Sequence, residues 1–176
     1  MTQYNLRELM GFVPQKAVLF SGTIRDNMQY GKPDATDEMI WKALEIAQAK
    51  DFVSEMEDGL DSHVEQGGGN FSGGQRQRLA IARALVKTAD IYVFDDSFSA
   101  LDFKTDANLR QALKMNMKES ITVLVAQRVS TVMDADMILV LDEGKLVGKG
   151  THEELLATNE TYQEIVHSQL REEDLA

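Results

Sequence analysis

Hydrophobic residues in this chain fall into two patterns, short continuous runs and longer segments with helical spacing. The continuous runs cover residues 9–13, 91–94 and 121–126, and the last two contain almost no polar residue. Runs of this kind are typical of parallel strands buried on both faces of a sheet. Helical spacing predicts amphipathic helices at 36–50, from 75 to about 86, and at 104–117. Strand, helix and strand in succession predict an α/β fold with a parallel sheet.

The residues after 136 carry the signals of a hairpin followed by two helices. Two apolar segments, 137–141 and 145–148, flank Asp142-Glu143-Gly144, a sequence that favours a tight turn. Thr151 followed by Glu154 is a capping box, which predicts a helix over 153–157. The last helix is predicted from 161 to 170.

Composition and charge narrow the classes of function. With 176 residues, 43% of them hydrophobic, the chain fits one globular domain. A net charge of −11 argues against a nucleic-acid groove, because phosphate binding depends on clusters of Lys and Arg. No apolar run reaches the roughly 18 residues that span a bilayer, so we expect a soluble, cytosolic chain. The absence of cysteine excludes disulfides and thiolate metal sites.

Polar side chains follow the two long apolar runs. Asp95 and Asp96 end the first run, and Gln127 follows the second. Ligands of open parallel sheets bind beyond the carboxyl ends of the strands. Paired carboxylates there suit a magnesium–nucleotide site, in which one acid holds the metal and its neighbour orients a water molecule. The alternative is that Asp95 and Asp96 start a polar turn together with Ser97, and the pair alone does not decide between the two.

A glycine-rich turn, Ser72-Gly73-Gly74-Gln75, immediately precedes a predicted helix. Backbone N–H groups at a helix N-terminus, together with the helix dipole, form an anion-binding site. The alternative is an ordinary Ser N-cap, with the glycines serving the turn. Taken alone, this turn favours the N-cap.

The order of these motifs along the chain resembles a known family. Residues 70–85, 91–96 and 99–102 closely resemble the signature motif, the Walker B strand and the D-loop of ABC transporter nucleotide-binding domains. Val13-Pro14-Gln15 resembles the Q-loop, and residues 19–27 are similar to the following segment of multidrug and lipid exporters. Residues 135–141 and 150–155 resemble the closing hairpin and helix of the family.

The resemblance implies the C-terminal portion of a P-loop NTPase-like ABC ATPase domain, with a parallel sheet, a helical signature subdomain and a terminal β-hairpin. Residues 1–176 would form a partial nucleotide-binding domain. The helical subdomain would cover about 28–87. The Walker B strand, the D-loop, the switch region and the C-terminal helices would lie in 88–176.

The resemblance also implies roles for single residues. In this family two domains meet head to tail, so that each ATP lies between the P-loop and Walker B strand of one domain and the signature motif of the other. The implied magnesium ligands are Asp95 and Gln15, with Gln15 also sensing the γ-phosphate. The implied nucleotide-binding residues at the partner's site are Ser72, Gly73, Gly74 and Gln75, and the D-loop adds Asp102.

The first departure from the family pattern is the phosphate-binding P-loop. No Gly-x-x-x-x-Gly-Lys-Ser/Thr sequence occurs, because the Gly-Lys pairs that start at Gly31, Gly144 and Gly148 lack the other required residues. We therefore expect a fragment of a longer gene product with negligible affinity for ATP on its own.

Two further departures fall on the implied catalytic positions, Asp96 and Gln127. Asp96 stands where the family has a Glu that positions the attacking water, and its side chain is one methylene shorter. Gln127 stands where the family has the switch His, and Gln cannot become cationic. Both changes together are typical of the degenerate subunit of a heterodimeric exporter. Two alternatives remain, a homodimeric exporter and a soluble ABC ATPase with no role in transport.

The implied cofactors are ATP and Mg²⁺. The implied partners are a second nucleotide-binding domain and a transmembrane domain, with no nucleic acid, at the cytoplasmic face of the cell membrane. By analogy, Phe20 and Phe52 would belong to the groove that receives the coupling helices of the membrane domain.

Overall fold

The computed structural model of the chain describes residues 2–173, with side chains described from Thr2 to Gln169. It divides into two compact units, Met1–Val125 and Ala126–Ala176. The strands are β1 (Met10–Val13), β2 (Gly22–Thr23), β3 (His63–Val64), β4 (Ile91–Asp95), β5 (Ile121–Val125), β6 (Ile138–Asp142) and β7 (Lys145–Gly150). The helices are α1 (Gln3–Glu8), α2 (Ile24–Gly31), α3 (Asp37–Ile46), α4 (Lys50–Ser54), α5 (Gly73–Val86), α6 (Phe103–Asn116), α7 (Val129–Val132), α8 (His152–Thr158) and α9 (Glu160–Glu173).

A parallel sheet of order β1-β4-β5 forms the centre of the first unit. Strand, helix and strand follow in β4, α6 and β5, so the predicted α/β fold with a parallel sheet is confirmed. One face of the sheet is packed, since Val13 and Phe94 are fully buried. On the other face, Phe12, Val93 and Val123 lie side by side in register. Phe12 is 54% exposed and Val123 is 43% exposed.

The prediction that the 121–126 run is buried on both faces is wrong for the described chain. β5 is an edge strand of the sheet, and Ile121, Val123 and Val125 all point to its uncovered face. Only Leu124 of this strand packs against the core. A continuous apolar run indicates that both faces of a strand are suited to burial. It does not indicate whether another helix or strand covers each face.

The predicted helix at 36–50 ends earlier, at Ile46. The amide of Ala49 donates to Leu44 O and the amide of Gln48 donates to Glu45 O, a Schellman arrangement that closes a helix. Gln48 takes the left-handed position with φ of 58°, which usually falls to glycine. Because a Gln occupies it, the sequence carried no visible stop signal, and the chain restarts separately as α4.

The sequence patterns did not predict the short helices α1, α2, α4 and α7 or the two-residue pairing of β2 with β3. For α2 a signal was present. The hydroxyl of Thr23 accepts from the amide of Asp26, and the Asp26 carboxylate accepts from the amide of Thr23. Such a reciprocal capping box is readable as Thr-x-x-Asp before a helix.

In the second unit, β6 and β7 form the predicted antiparallel hairpin. Its turn is one residue shorter than predicted, because Asp142 pairs with Lys145 and belongs to the strand. Only Glu143 and Gly144 remain in the loop, and both have positive φ. The capping box of Thr151 and Glu154 is confirmed, and its helix begins at His152. Among the described residues, no helix has the length and apolar character needed to cross a bilayer.

Candidate functional site

The loop after β4 holds Asp96 in an unusual backbone conformation. Asp96 has φ of 46°, its amide donates to Val125 O over 2.8 Å, and the residue is only 8% exposed. The buried hydroxyl of Ser97 donates to Val13 O, 3.0 Å away, and the hydroxyl of Ser99 donates to Asp96 O. The loop is therefore fixed to the ends of both neighbouring strands, and a turn over residues 97–100 follows it, as the alternative interpretation of the acid pair expects.

Gln15 lies next to this loop, although 81 positions separate it from Asp96 in sequence. β1 ends at Val13, in register with Phe94, so Pro14 and Gln15 leave the sheet at the same edge as the acids. The amide Nε2 of Gln15 donates to Oδ2 of Asp96 over 3.2 Å. Two of the sequence-predicted site residues are thus brought into direct contact.

The segment Ser72–Gln75, called the signature turn below, opens the long helix α5. The hydroxyl oxygen of Ser72 accepts from the amide of Gln75 at 3.2 Å, and the side-chain oxygen of Gln75 accepts from the amide of Ser72 at 2.9 Å. Ser72 is therefore the N-cap that the alternative interpretation expected, and the predicted helix begins directly after it, at Gly73. The cap uses only one lone pair of the hydroxyl, so the hydroxyl proton of Ser72 remains available for a ligand.

The signature turn also offers backbone donors to solvent. Helix geometry leaves the amides of Gly73 and Gly74 without an intrahelical acceptor. Ser72 and Gly73 are exposed, and a Cβ added to Gly73 would meet only the Arg76 guanidinium, at 3.9 Å. An anion could approach these two N–H groups closely, with the positive end of the α5 dipole behind them.

The three glycines before the signature turn, Gly67-Gly68-Gly69, belong to a hydrogen-bonded turn. Gly67 and Gly68 both have φ of 74°, and the amide of Gly68 donates to Glu65 O over 2.7 Å. A Cβ on Gly68 would lie 2.8 Å from Cδ of Arg76. Arg76 in turn donates to the carbonyl of Phe71 over 2.6 Å, so Gly68 allows the Arg76 side chain to pack closely against the turn.

The signature turn packs directly against the D-loop of the same chain. A Cβ on Gly74 would lie 3.3 Å from the carbonyl oxygen of Ala100. Two residues later, Asp102 caps α6 by accepting from the amide of Thr105 at 3.0 Å. This backbone hydrogen bond holds the pKa of Asp102 below its ordinary value. The structure therefore gives Asp102 a helix-capping role.

The remaining predicted residues, Asp95 and Gln127, lie at the ends of their strands. Asp95 is the last residue of β4 and is half-buried. Gln127 is exposed in the second unit, where its carbonyl accepts from the side chain of Gln169. The described residues contain no group of three or more His, Cys, Asp or Glu side chains placed to hold a metal ion.

A cleft of about 280 Å³ lies on the first unit beside β1. Phe20, Tyr30 and Arg83 line it, with the two rings 4.5 Å apart and the Arg83 guanidinium 5.1 Å from the Phe20 ring. Phe52, the second aromatic residue predicted for a groove, lies elsewhere. Its ring packs against Phe71, 6.4 Å away, and against the core.

Sequence reasoning missed the arginines and the asparagine that build these features. Arg78 donates to the carbonyls of Gly74 and Gln48. Arg83 donates to Val18 O, and Asn27, 2% exposed, donates to Phe20 O and accepts from the Phe20 amide. Burial lowers the pKa of both arginines. A charged residue on the apolar side of a predicted helix was the signal that could have found the two arginines.

Comparisons with known proteins agree with this arrangement. The sequence profile of the family described as "ABC transporter" matches residues 2–99. The chain belongs to the ABC transporter family. It is 52% identical over 163 residues to an uncharacterized ABC transporter ATP-binding protein of Mycobacterium tuberculosis, covering 91% of this chain and 28% of the relative. It is 42% identical over 167 residues to a multidrug resistance ABC transporter ATP-binding and permease protein of Lactococcus lactis, covering 94% of this chain and 28% of the relative.

Among solved structures, a bacterial Atm1-family ABC exporter with ATP bound is similar to this ABC transporter chain, with a TM-score of 0.93 and 39% identity. The match covers 97% of this chain and 30% of the exporter chain. The expected ABC ATPase fold and the resemblance to exporters are therefore confirmed. The chain spans less than a third of the length of the relatives it matches.

Proposed function

We propose that this chain supplies the signature half of an ATP site in a heterodimeric ABC exporter, in which the P-loop comes from a second nucleotide-binding domain. The observation that carries the proposal is the signature turn. Ser72 and Gly73 are exposed and Gly74 is half-buried at the start of α5, a 14-residue helix whose geometry leaves the Gly73 and Gly74 amides without an intrahelical acceptor. Three convergent donors at a helix N-terminus suit the γ-phosphate of a nucleotide held by another polypeptide.

The acid site of the chain itself is poorly equipped for hydrolysis. Asp96 is one methylene shorter than the family's Glu, its loop is tied to Val125 O, and its carboxylate is engaged by Gln15. A misplacement of about 1 Å can cost on the order of 10²-fold in rate. Gln127 provides no cation at the switch position. We infer that this composite site holds nucleotide, while the site completed by the signature turn performs turnover.

Mg²⁺ and ATP are the cofactors of the proposed assembly. Asp95 and Gln15 offer two oxygen ligands, a carboxylate and an amide. Mg²⁺ commonly takes one or two protein oxygens and fills its remaining positions with phosphate and water oxygens, so this donor set fits a metal that arrives with the nucleotide. When bound, the ion would neutralise phosphate charge. The part played by the chain is to present Asp95 at the end of β4.

The cleft lined by Phe20, Tyr30 and Arg83 is the surface that we assign to the membrane domain. Tyr30 is 71% exposed and Phe20 is 43% exposed, so an apolar surface with a cationic rim is available to a partner helix. Asn27 fixes Phe20 through hydrogen bonds to both its backbone groups. In this assembly the chain lies at the cytoplasmic face of the cell membrane.

Two other assemblies would use the same residues. A homodimeric exporter would carry Asp96 and Gln127 in both of its sites, so every site would be slow. A soluble ABC ATPase would leave the Phe20 cleft without a membrane partner. A companion subunit with Glu and His at these two positions, and transmembrane segments in the same transporter, would favour the heterodimeric exporter over both.

The experiment compares ATPase rates of variants in the complete heterodimer. Ser72→Arg and Gly74→Asp place bulk or charge at the signature turn and are expected to abolish most turnover. Asp96→Asn is expected to change turnover less than about twofold, because its site contributes little. Loss of activity confined to Asp96→Asn would reverse the assignment of the two sites. In addition, calorimetry should detect no stoichiometric, micromolar binding of Mg-ATP to the 176-residue chain alone.

A further inference from the structure

Arg78, one turn into α5, contacts two separate parts of the first unit. Its Nε donates to the carbonyl of Gly74 over 3.3 Å, and its Nη1 donates to the carbonyl of Gln48 over 2.5 Å. Its guanidinium carbon lies 4.8 Å from the centre of the Phe52 ring. One side chain therefore connects the signature turn to the segment that joins α3 to α4.

The acceptor at Gln48 belongs to a rigid part of the molecule. Gln48 ends α3 in a left-handed conformation, with its amide bonded to Glu45 O. α3 is anchored in the core, because Ile40 and Leu44 are fully buried. A donor that is bonded to the Gln48 carbonyl is consequently held at a fixed place relative to the core.

The negative charges of two aspartates, Asp102 and Asp51, act on the same guanidinium. Burial lowers the pKa of Arg78, and the charges of Asp102 and Asp51 oppose that effect. Asp102 belongs to the D-loop, against which Gly74 also packs. Arginine stays protonated throughout the pH range of folded proteins, so its donors are always present.

The geometry requires arginine and not merely a positive charge. The guanidinium is a planar fork, which can stack on an aromatic ring while its N–H groups point to acceptors in different directions. A lysine ammonium at this position would keep the charge, but it would reach Gly74 O, Gln48 O and the Phe52 ring only in part.

We propose that Arg78 is a positioning residue for nucleotide recognition: it holds the signature turn in one orientation relative to the α3–α4 connection. The inference rests on the proposed function, because the orientation matters only if Gly73 and Gly74 meet a γ-phosphate. Arg78 itself does not touch the nucleotide. It acts through the carbonyl of Gly74.

The positioning role is tested first on the 176-residue chain by hydrogen exchange. In Arg78→Met, which keeps an apolar side chain and removes the donors, the amides of Gln75 and Arg76 are expected to exchange about tenfold faster. Arg78→Lys should be intermediate. Arg25→Met is the matched control, since the side chain of Arg25 bonds to Asp61 and Asp37 and not to the signature turn, and it should leave these amides unchanged. Unchanged exchange in Arg78→Met, or a uniform rise along all of α5, would overturn the role.

The functional consequence is tested in the complete heterodimer. Arg78→Met is expected to raise the ATP concentration for half-maximal turnover about tenfold, with the maximal rate changed less than threefold, and Arg78→Lys to recover part of the loss. If Ser72→Arg abolishes turnover while Arg78→Met leaves half-saturation unchanged, the positioning proposal fails and the proposed function stands. If Ser72→Arg has no effect, the proposed function fails, and with it the relevance of Arg78 to nucleotide.

Discussion

The side chain of Gln15 donates to the carboxylate of Asp96, with 3.2 Å between Nε2 and Oδ2. This contact joins the segment after β1 to the acid after β4. Asp96 is 8% exposed, and its amide is bonded to Val125 O, so its carboxylate is held in one place. In the proposed assembly, Gln15 and Asp96 therefore act as one unit at the acid site.

Removing the amide donor of Gln15 should lower the stability of the folded chain. Gln15→Leu leaves a largely buried carboxylate with one hydrogen bond fewer, and we expect the free energy of unfolding to fall by about 1–2 kcal/mol. Urea denaturation followed by circular dichroism measures the change. Gln111→Leu is the control, because Gln111 is exposed on α6. Equal effects of the two substitutions would show that the Gln15–Asp96 contact does not stabilise the chain.

Two glycines should respond in opposite ways to alanine. A Cβ on Gly31 would lie 2.4 Å from the backbone carbonyl of Arg83, which cannot move aside easily, so Gly31→Ala should destabilise the chain by about 2 kcal/mol or more. Gly73 has open space and lies inside a helix, so Gly73→Ala should leave stability unchanged or raise it slightly. Thermal unfolding of both variants checks the stability difference.

The same Gly73→Ala variant separates folding from function. The added methyl group would lie where an anion approaches the backbone amides, so turnover in the heterodimer should fall although the fold is intact. Full activity of Gly73→Ala would mean that no phosphate comes close to this amide.

The cap at Asp102 makes part of the stability depend on pH. The amide of Thr105 holds the pKa of Asp102 below its usual value, so the charged cap contributes above the unfolded pKa of about 3.9 and is lost as pH falls through the lower, folded value. Asp102→Asn keeps a capping oxygen without the charge. The melting temperature of the native chain should exceed that of Asp102→Asn at pH 6, and the difference should shrink below about pH 4. A difference that is constant over this range would contradict the mechanism.

Local patterns predicted most of the secondary structure. The start of α5 at Ser72, the capping box of Thr151 and the hairpin turn each depend on residues within four positions, and each was readable. The family could be recognised because its motifs occur in the family's order along the chain. The early end of α3 could not be predicted, because Gln48 adopts a left-handed conformation that is typical of glycine and not of glutamine.

Long-range relationships account for what the sequence did not reveal. The exposure of β5 depends on its edge position in the sheet, and the contacts of Arg78 depend on how α3 packs against α5. The ring of Phe52 packs near Phe71, a contact between separate segments, and the groove that Phe20 and Phe52 would share for the coupling helices stays a prediction. Local sequence patterns do not indicate which distant residues come into contact in the folded chain.

The most direct test of the central claim is a nucleotide-dependent disulfide between this chain and its partner. The chain has no cysteine, so Ser72→Cys introduces a single thiol at the signature turn. A second cysteine is placed in the P-loop of the partner domain, and exposed Ser54→Cys on α4 serves as the control position. We predict that Mg-ATP strongly increases disulfide cross-linking between Ser72→Cys and the partner's P-loop cysteine. Ser54→Cys should not cross-link to that cysteine. Failure of Ser72→Cys to cross-link with ATP present, or equal cross-linking at both positions, would contradict the claim that this helix end grips a nucleotide bound by another polypeptide.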